Sequence, residues 1–223
     1  MNLASFIDHT ILKPTTSLEE VIRLCKEAVE YNFAAVCIPP PFVKRVKAIL
    51  SPTSIKVATV IGFPFGYSAT EAKLAETVLA IVDGADELDM VMNLIAFKMN
   101  DFEHLKKEMA LIADVVHKKG KILKLIIESG ILTDEEIINC CKIYDGMGID
   151  YMKTSTGYAE KGASVEAVQL MRSHLSSEVK IKASGGIRTY EFAKQLIEAG
   201  ANRLGCSASV AIVKGEPGFG SGY

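Results

Sequence analysis

KIKASGGIRTYEFAKQLIEAGANRLGC, residues 180–206, holds one whole unit of a pattern that recurs along the chain. Its first run, Lys180 to Ala183, alternates charged and apolar side chains with the period of two of a strand. Ser184 to Arg188 is polar and glycine-bearing, and reads as a loop. Thr189 is an N-cap for a helical pattern over Tyr190 to Ala199, Gly200 falls at the helix end, and a second apolar run, Arg203 to Cys206, follows. Strand, helix, strand in this order implies two parallel strands joined by a crossover.

Working outward, the same unit repeats. Apolar, β-rich runs occur at Ile7 to Ile11, Ala34 to Ile38, Lys56 to Ile61, Glu87 to Met92, Leu123 to Glu128 and Tyr151 to Ser155, which with the two above makes eight. Between them, Ser17-Leu18-Glu19-Glu20 and Thr133-Asp134-Glu135-Glu136 carry the hydroxyl-to-glutamate spacing of a capping box. Gly120 and Gly148 also sit where helices end, and Thr70 to Val82 is apolar at helical spacing, with Leu74, Val78 and Ile81 on one side. Eight such units predict an α/β fold, a single-domain (β/α)8 TIM barrel over 1–214. An open doubly wound sheet is the alternative, weakened by the lack of a dinucleotide-binding glycine fingerprint after the first run. The tail, Gly215 to Tyr223, has four glycines and a proline in nine residues, and is expected to be flexible.

Composition bounds the function. A chain of 223 residues, 49% hydrophobic, can bury a sizeable core. Its 25 Lys and Arg are interspersed with 27 Asp and Glu, so no basic footprint for nucleic acid appears. Met1 to Lys13 lacks the pattern of a secretory signal, and no stretch has the roughly 20 apolar residues of a membrane span, which together predict a soluble, cytoplasmic protein. The cysteines, Cys25, Cys37, Cys140, Cys141 and Cys206, form no CxxC pair, so reduced and mostly buried thiols are expected, with no zinc site. Apolar helix positions such as Phe97 and Met99 suggest a surface for a homodimer or higher homo-oligomer.

The chemistry is carried by Tyr151-Met152-Lys153-Thr154-Ser155-Thr156-Gly157-Tyr158, where a lysine stands in mid-strand. A buried ammonium is costly, so a desolvated lysine is driven toward its neutral amine, which attacks carbonyls to give a Schiff base. An exposed or snorkelling lysine is the bland alternative for such a residue taken alone. Lys182 on the next run and Asp89 in Glu87-Leu88-Asp89-Met90-Val91 shift the balance, because all three fall on one strand face toward the carboxyl ends, where barrels hold their sites. A charged Lys182 would depress the pKa of Lys153, and Asp89 could move protons. Asp8 and Thr10 hold an equivalent place on the first run. Gly185 and Gly186 after the seventh run, and Gly205 with Ser207 after the eighth, predict a phosphate site in the loops where barrels commonly place one.

Lys153 in MKTSTG, Lys182 in KASGGIR, Asp89 in GADELDMV, VIGFPFG over 60–66 and LIIESG over 125–130 together resemble the deoxyribose-phosphate aldolase family, over nearly the whole chain. The resemblance implies a class I aldolase on a (β/α)8 barrel, reversibly cleaving 2-deoxy-D-ribose 5-phosphate to D-glyceraldehyde 3-phosphate and acetaldehyde, in deoxynucleoside catabolism. It requires no metal or cofactor. Lys153 then corresponds to the Schiff-base lysine, and Lys182 and Asp89 to the proton donor and acceptor. Gly157, Gly185, Gly186, Arg188, Gly205 and Ser207 correspond to the phosphate grip, and Asp8, Thr10 and Cys37 to the pocket lining. The terminal Tyr223 matches a family tyrosine that assists proton exchange, the other reading being an end without a role. Tyr158 departs from the pattern, standing where some members have a lysine near the phosphate, so the grip would rest more on backbone N–H groups and Arg188. Another sugar-phosphate aldolase or isomerase, or a phosphate-binding barrel without catalysis, remains open at this point.

Overall fold

A computed structural model describes residues 2–216, and its eight strands pair in parallel until the last meets the first. They are β1 Ile7–Thr10, β2 Ala35–Ile38, β3 Lys56–Ile61, β4 Glu87–Val91, β5 Ile122–Ile126, β6 Tyr151–Lys153, β7 Lys180–Ser184 and β8 Arg203–Cys206. Pairing of β1 with β8, with Asp8 opposite Gly205, closes the barrel and excludes the open sheet. The helices are α1 Leu18–Tyr31, α2 Val43–Leu50, α3 Thr70–Asp83, α4 Leu94–Lys98, α5 Phe102–His117, α6 Asp134–Tyr144, α7 Val165–His174, α8 Tyr190–Glu198 and α9 Ser209–Lys214. None is long and apolar enough to cross a membrane. The expected tail lies, from residue 217 on, outside the described residues, and Tyr223 with it.

Local chemistry starts the helices where the sequence places them. Ser17 accepts from the Glu20 N–H at 3.2 Å while the Glu20 carboxylate accepts from the Ser17 N–H at 2.7 Å, and Thr133 with Glu136 makes the same reciprocal pair. The α1 face of Val21, Leu24, Cys25 and Ala28, at helical spacing, is buried against the sheet. Outward strand residues such as Val36, Val57, Leu88, Leu125, Met152 and Ile181 join the helices in one large core. Each aliphatic side chain buried there contributes roughly 1.5–3 kcal/mol.

Three expectations are corrected. Glu128 does not extend β5, because its φ of 54° is left-handed and turns the chain out of the sheet after Ile126. In α3 the buried residues are Lys73, Thr77 and Ala80 rather than Leu74, Val78 and Ile81; Val78 is exposed, and Leu74 and Ile81 are half-buried. An ion pair described below draws that face inward. Phe97 is buried against Phe102 in the core, so of the expected surface pair only Met99 is exposed.

The barrel interior is divided. On the β2 and β3 side, Cys37, Ala58 and Val60 form a small apolar cluster with Leu12, and Phe63 packs against it. Across from it, β4 to β8 and β1 turn charged residues inward.

Candidate active site

Register explains how the charges meet. Lys153 lies directly opposite Lys182 on β7, and Asp89 opposite Lys124 on β5. Lys153 Nζ is 2.8 Å and Lys182 Nζ 2.7 Å from the same oxygen, Asp89 Oδ2. The two amino groups are therefore neighbours, and both side chains are buried. Lys124 Nζ takes the other oxygen, Asp89 Oδ1, at 2.7 Å.

Charge states follow from these contacts. Burial pushes the Lys153 pKa down, Asp89 opposes this, and the Lys182 ammonium adds to it, leaving the value below that of an ordinary lysine. Desolvation is thus the first cause and the neighbouring cation a smaller one, both of them expected from the sequence. Burial also works against charge on Lys182, but Asp8, at 2.5 Å, and Asp89 outweigh it and hold its pKa well above the ordinary range. Asp89 is pushed up by burial, yet Lys124, Lys153 and Lys182 hold it well below the usual carboxylate range. The arrangement is a lysine whose pKa is lowered, beside a carboxylate held ionised and an ammonium held charged.

The pocket-lining residues divide. Asp8 is fully buried and pairs with Lys182 and with Arg203, 2.6 Å away, which makes it part of the charge cluster. Thr10 donates its hydroxyl to the Asp8 carbonyl at 2.7 Å and lies opposite Cys37. The Cys37 thiol is raised by burial and stays protonated. Among the described residues, no group of three His, Cys, Asp or Glu is placed to hold a metal ion.

The loops after β6, β7 and β8 converge on one cavity lined by Gly157, Gly185, Gly186, Arg188, Gly205 and Ser207, with Ile187. Gly185 and Gly186 take φ of 87° and 75°, a left-handed path that glycine follows without strain. Gly205 joins this cavity to the charges. A Cβ there would stand 2.9 Å from Ser184 Cβ and 3.2 Å from Lys182 Cε, so the missing side chain makes room for the lysine. Tyr158, beside the cavity, reaches away from it: its hydroxyl donates to the Leu12 carbonyl at 2.9 Å and its ring meets Phe63 edge-on. Tyr158 thereby ties the loop after β6 to the segments after β1 and β3.

Sequence reasoning missed Lys124, Glu87, Arg203 and the Glu128–Thr156 pair. The buried Glu128 carboxylate accepts from the Thr156 N–H at 3.2 Å and from its hydroxyl, tying the end of β5 to the loop that carries Gly157. Lys124 bears the same mid-strand signature, between Leu123 and Leu125, that singled out Lys153.

Fold and buried amine together define the class, barrel lyases that work carbon–carbon bonds through a lysine. The chain belongs to the DeoC/LacD family of aldolases, whose model matches residues 3–215. It is 49% identical over 217 residues to the deoxyribose-phosphate aldolase of Thermococcus gammatolerans, covering 96% of each chain. A crystal structure described as a putative deoxyribose-phosphate aldolase from Coccidioides immitis superposes with a TM-score of 0.92 at 42% identity, covering 96% of this chain and 85% of that one. The deoxyribose phosphate aldolase of Aeropyrum pernix, described as a tetramer, gives 0.88 at 31% identity, over 95% of this chain and 89% of that one. The family resemblance read in the sequence is thereby borne out.

Proposed function

We propose that the chain reversibly cleaves 2-deoxy-D-ribose 5-phosphate to D-glyceraldehyde 3-phosphate and acetaldehyde, through a Schiff base on Lys153. The observation that carries the reading is the shared Asp89 oxygen, which puts an amine of lowered pKa beside a fixed ammonium. The neutral Lys153 amine adds to the C1 aldehyde, and loss of water gives a protonated imine. That imine draws the electron pair as the C2–C3 bond breaks, while the C3 hydroxyl proton passes to the Asp89 carboxylate, with the Lys182 ammonium beside it stabilising the developing negative charge. The enamine is reprotonated at C2, and hydrolysis frees acetaldehyde and Lys153. Gly157, Gly185, Gly186, Arg188, Gly205 and Ser207 are assigned to the phosphate; their common cavity, abutting Lys182 at Gly205, supports this. A possible role of Tyr223 in proton exchange falls outside the described residues.

Acetaldehyde with cyanoborohydride is expected to leave an ethyl group on Lys153, found by peptide mass mapping. Lys153→Ala should abolish both adduct and turnover. An adduct on another lysine, or none, would sink the mechanism.

The chain is further assigned to a homodimer or higher homo-oligomer in the cytoplasm. The outward face of α3 is apolar at Val78, Leu79 and Val82, with Val82 75% exposed, where a solvated helix would be polar. Leu79→Glu with Val82→Glu should convert a dimer to monomers in light scattering; an unmodified chain already monomeric would refute the assignment. The free, buried state of all five cysteines supports a reducing compartment.

A further inference from the structure

The charges buried with Lys153 outnumber those the proposed reaction uses. Lys182 pairs with Asp89, Asp89 with Lys124, Lys124 with Glu87 at 2.5 Å, Glu87 with Arg203 at 3.4 Å, Arg203 with Asp8 at 2.6 Å, and Asp8 with Lys182 again. The result is a closed ring of alternating signs, drawn from β1, β4, β5, β7 and β8, with Lys153 attached to it only through Asp89. Lys182, Lys124 and Arg203 balance Asp8, Glu87 and Asp89, so the ring is neutral without Lys153. A proton on Lys153 would be a buried charge for which the ring has no counter-charge left, with Glu128, outside the ring, the one further carboxylate among the described residues that feels it.

We propose that this ring holds Lys153 as the free amine, and that Glu87, Lys124 and Arg203, none of which touches Lys153, are positioning residues that tune it through ring charge. The inference rests on the aldolase reading above. Other elements facing Lys153 do not upset the balance. From β2 comes the protonated Cys37 thiol, and β3 presents Ala58 and Val60. Beyond β5, the Glu128 carboxylate feels the charge of Lys153, but it is engaged by Thr156, pairs with no ring member and stays the same in every variant below. Beneath the ring the Tyr151 ring lies 6.0 Å from Lys124 Nζ and 5.7 Å from Arg203 Cζ, a further neutral support for the cations, with Lys180 on its other approach at 5.6 Å.

The ring makes signed predictions. Lys124→Met leaves two cations against three carboxylates, which favours the Lys153 ammonium and raises the pH at which the amine becomes available. Glu87→Gln leaves three cations against two carboxylates and lowers that pH. The double variant is neutral again. The test is the pH midpoint of cyanoborohydride trapping of acetaldehyde on the full chain. It is expected to rise by about one unit in the first variant, fall by a similar amount in the second and return in the double. If Lys124→Met does not fold, Arg203→Gln removes the same charge at a ring position that is 12% exposed, and should also raise the midpoint, while Arg203→Lys should leave it in place. A purely structural role would lower the yield without opposed shifts. Midpoints that stay fixed, move the same way in both single variants, or do not return in the double would overturn the ring's role. No adduct in the unmodified chain would overturn the aldolase reading itself, and the ring's role with it.

Discussion

Glu128 takes a left-handed φ of 54° although it carries a side chain, and what it obtains is a hold on the next loop. Its carboxylate, raised in pKa by burial, accepts from both the N–H and the hydroxyl of Thr156, whose oxygen in turn accepts from the Tyr158 N–H at 3.0 Å. Thr156→Val removes the hydroxyl and leaves a buried carboxylate half-satisfied. Chemical denaturation should show a loss of about 1–3 kcal/mol, the usual cost of an unsatisfied buried acceptor. An unchanged midpoint would mean that water serves Glu128 equally well. At this scale the sequence announces a residue when its type contradicts its surroundings. Lys153, Lys182 and Asp89 stand inside apolar runs and are legible for that reason. Glu87 and Arg203 open their runs, where a charge is ordinarily solvated, and only the closed barrel reveals that both side chains turn inward.

Helix α3 shows why an element can be located from the sequence and still be rotated wrongly. Lys73 is fully buried, donating to the Glu108 carboxylate of α5 at 2.9 Å and to the Val91 carbonyl at the end of β4 at 3.0 Å. Those contacts lie on other elements, so periodicity within α3 cannot report them, and Val78, Leu79 and Val82 are left exposed. Burial lowers the Lys73 pKa while Glu108 resists the shift, the pattern of a desolvated but paired ammonium. Lys73→Met leaves Glu108 with the Thr70 hydroxyl but without a counter-charge and should cost about 3–5 kcal/mol in urea unfolding, whereas Lys73→Met with Glu108→Leu should recover most of it. A double variant no more stable than the single one would show that the pair is needed for more than its charge. By contrast, the starts of α1 and α6 were readable in full, because a capping box is complete within four consecutive residues.

Across the whole molecule, the buried ring links stability to pH. Asp8 and Asp89 have folded pKa values below the ordinary aspartate value of about 3.9, so the folded state binds fewer protons there than the unfolded one. Their contribution is fully present above that value and is lost as the pH falls through the lowered values, at about 1.4 kcal/mol per pH unit for each carboxylate. Urea midpoints measured on a descending pH series should therefore drop steeply below the ordinary aspartate range. A profile that stays flat there would show these carboxylates titrating alike in both states. Strand order, crossover spacing, capping residues and the two central lysines are set locally, by periods of two and of 3.6 and by hydroxyl-to-glutamate spacings, so the sequence by itself determined the eight strand–helix units and the lysines standing in their strands. Closure alone brought Asp8 of the first strand and Arg203 of the last against the middle of the chain, and so decided which charges cancel and which face of α3 is buried. Those outcomes depend on distances between residues far apart in sequence, which no local pattern encodes.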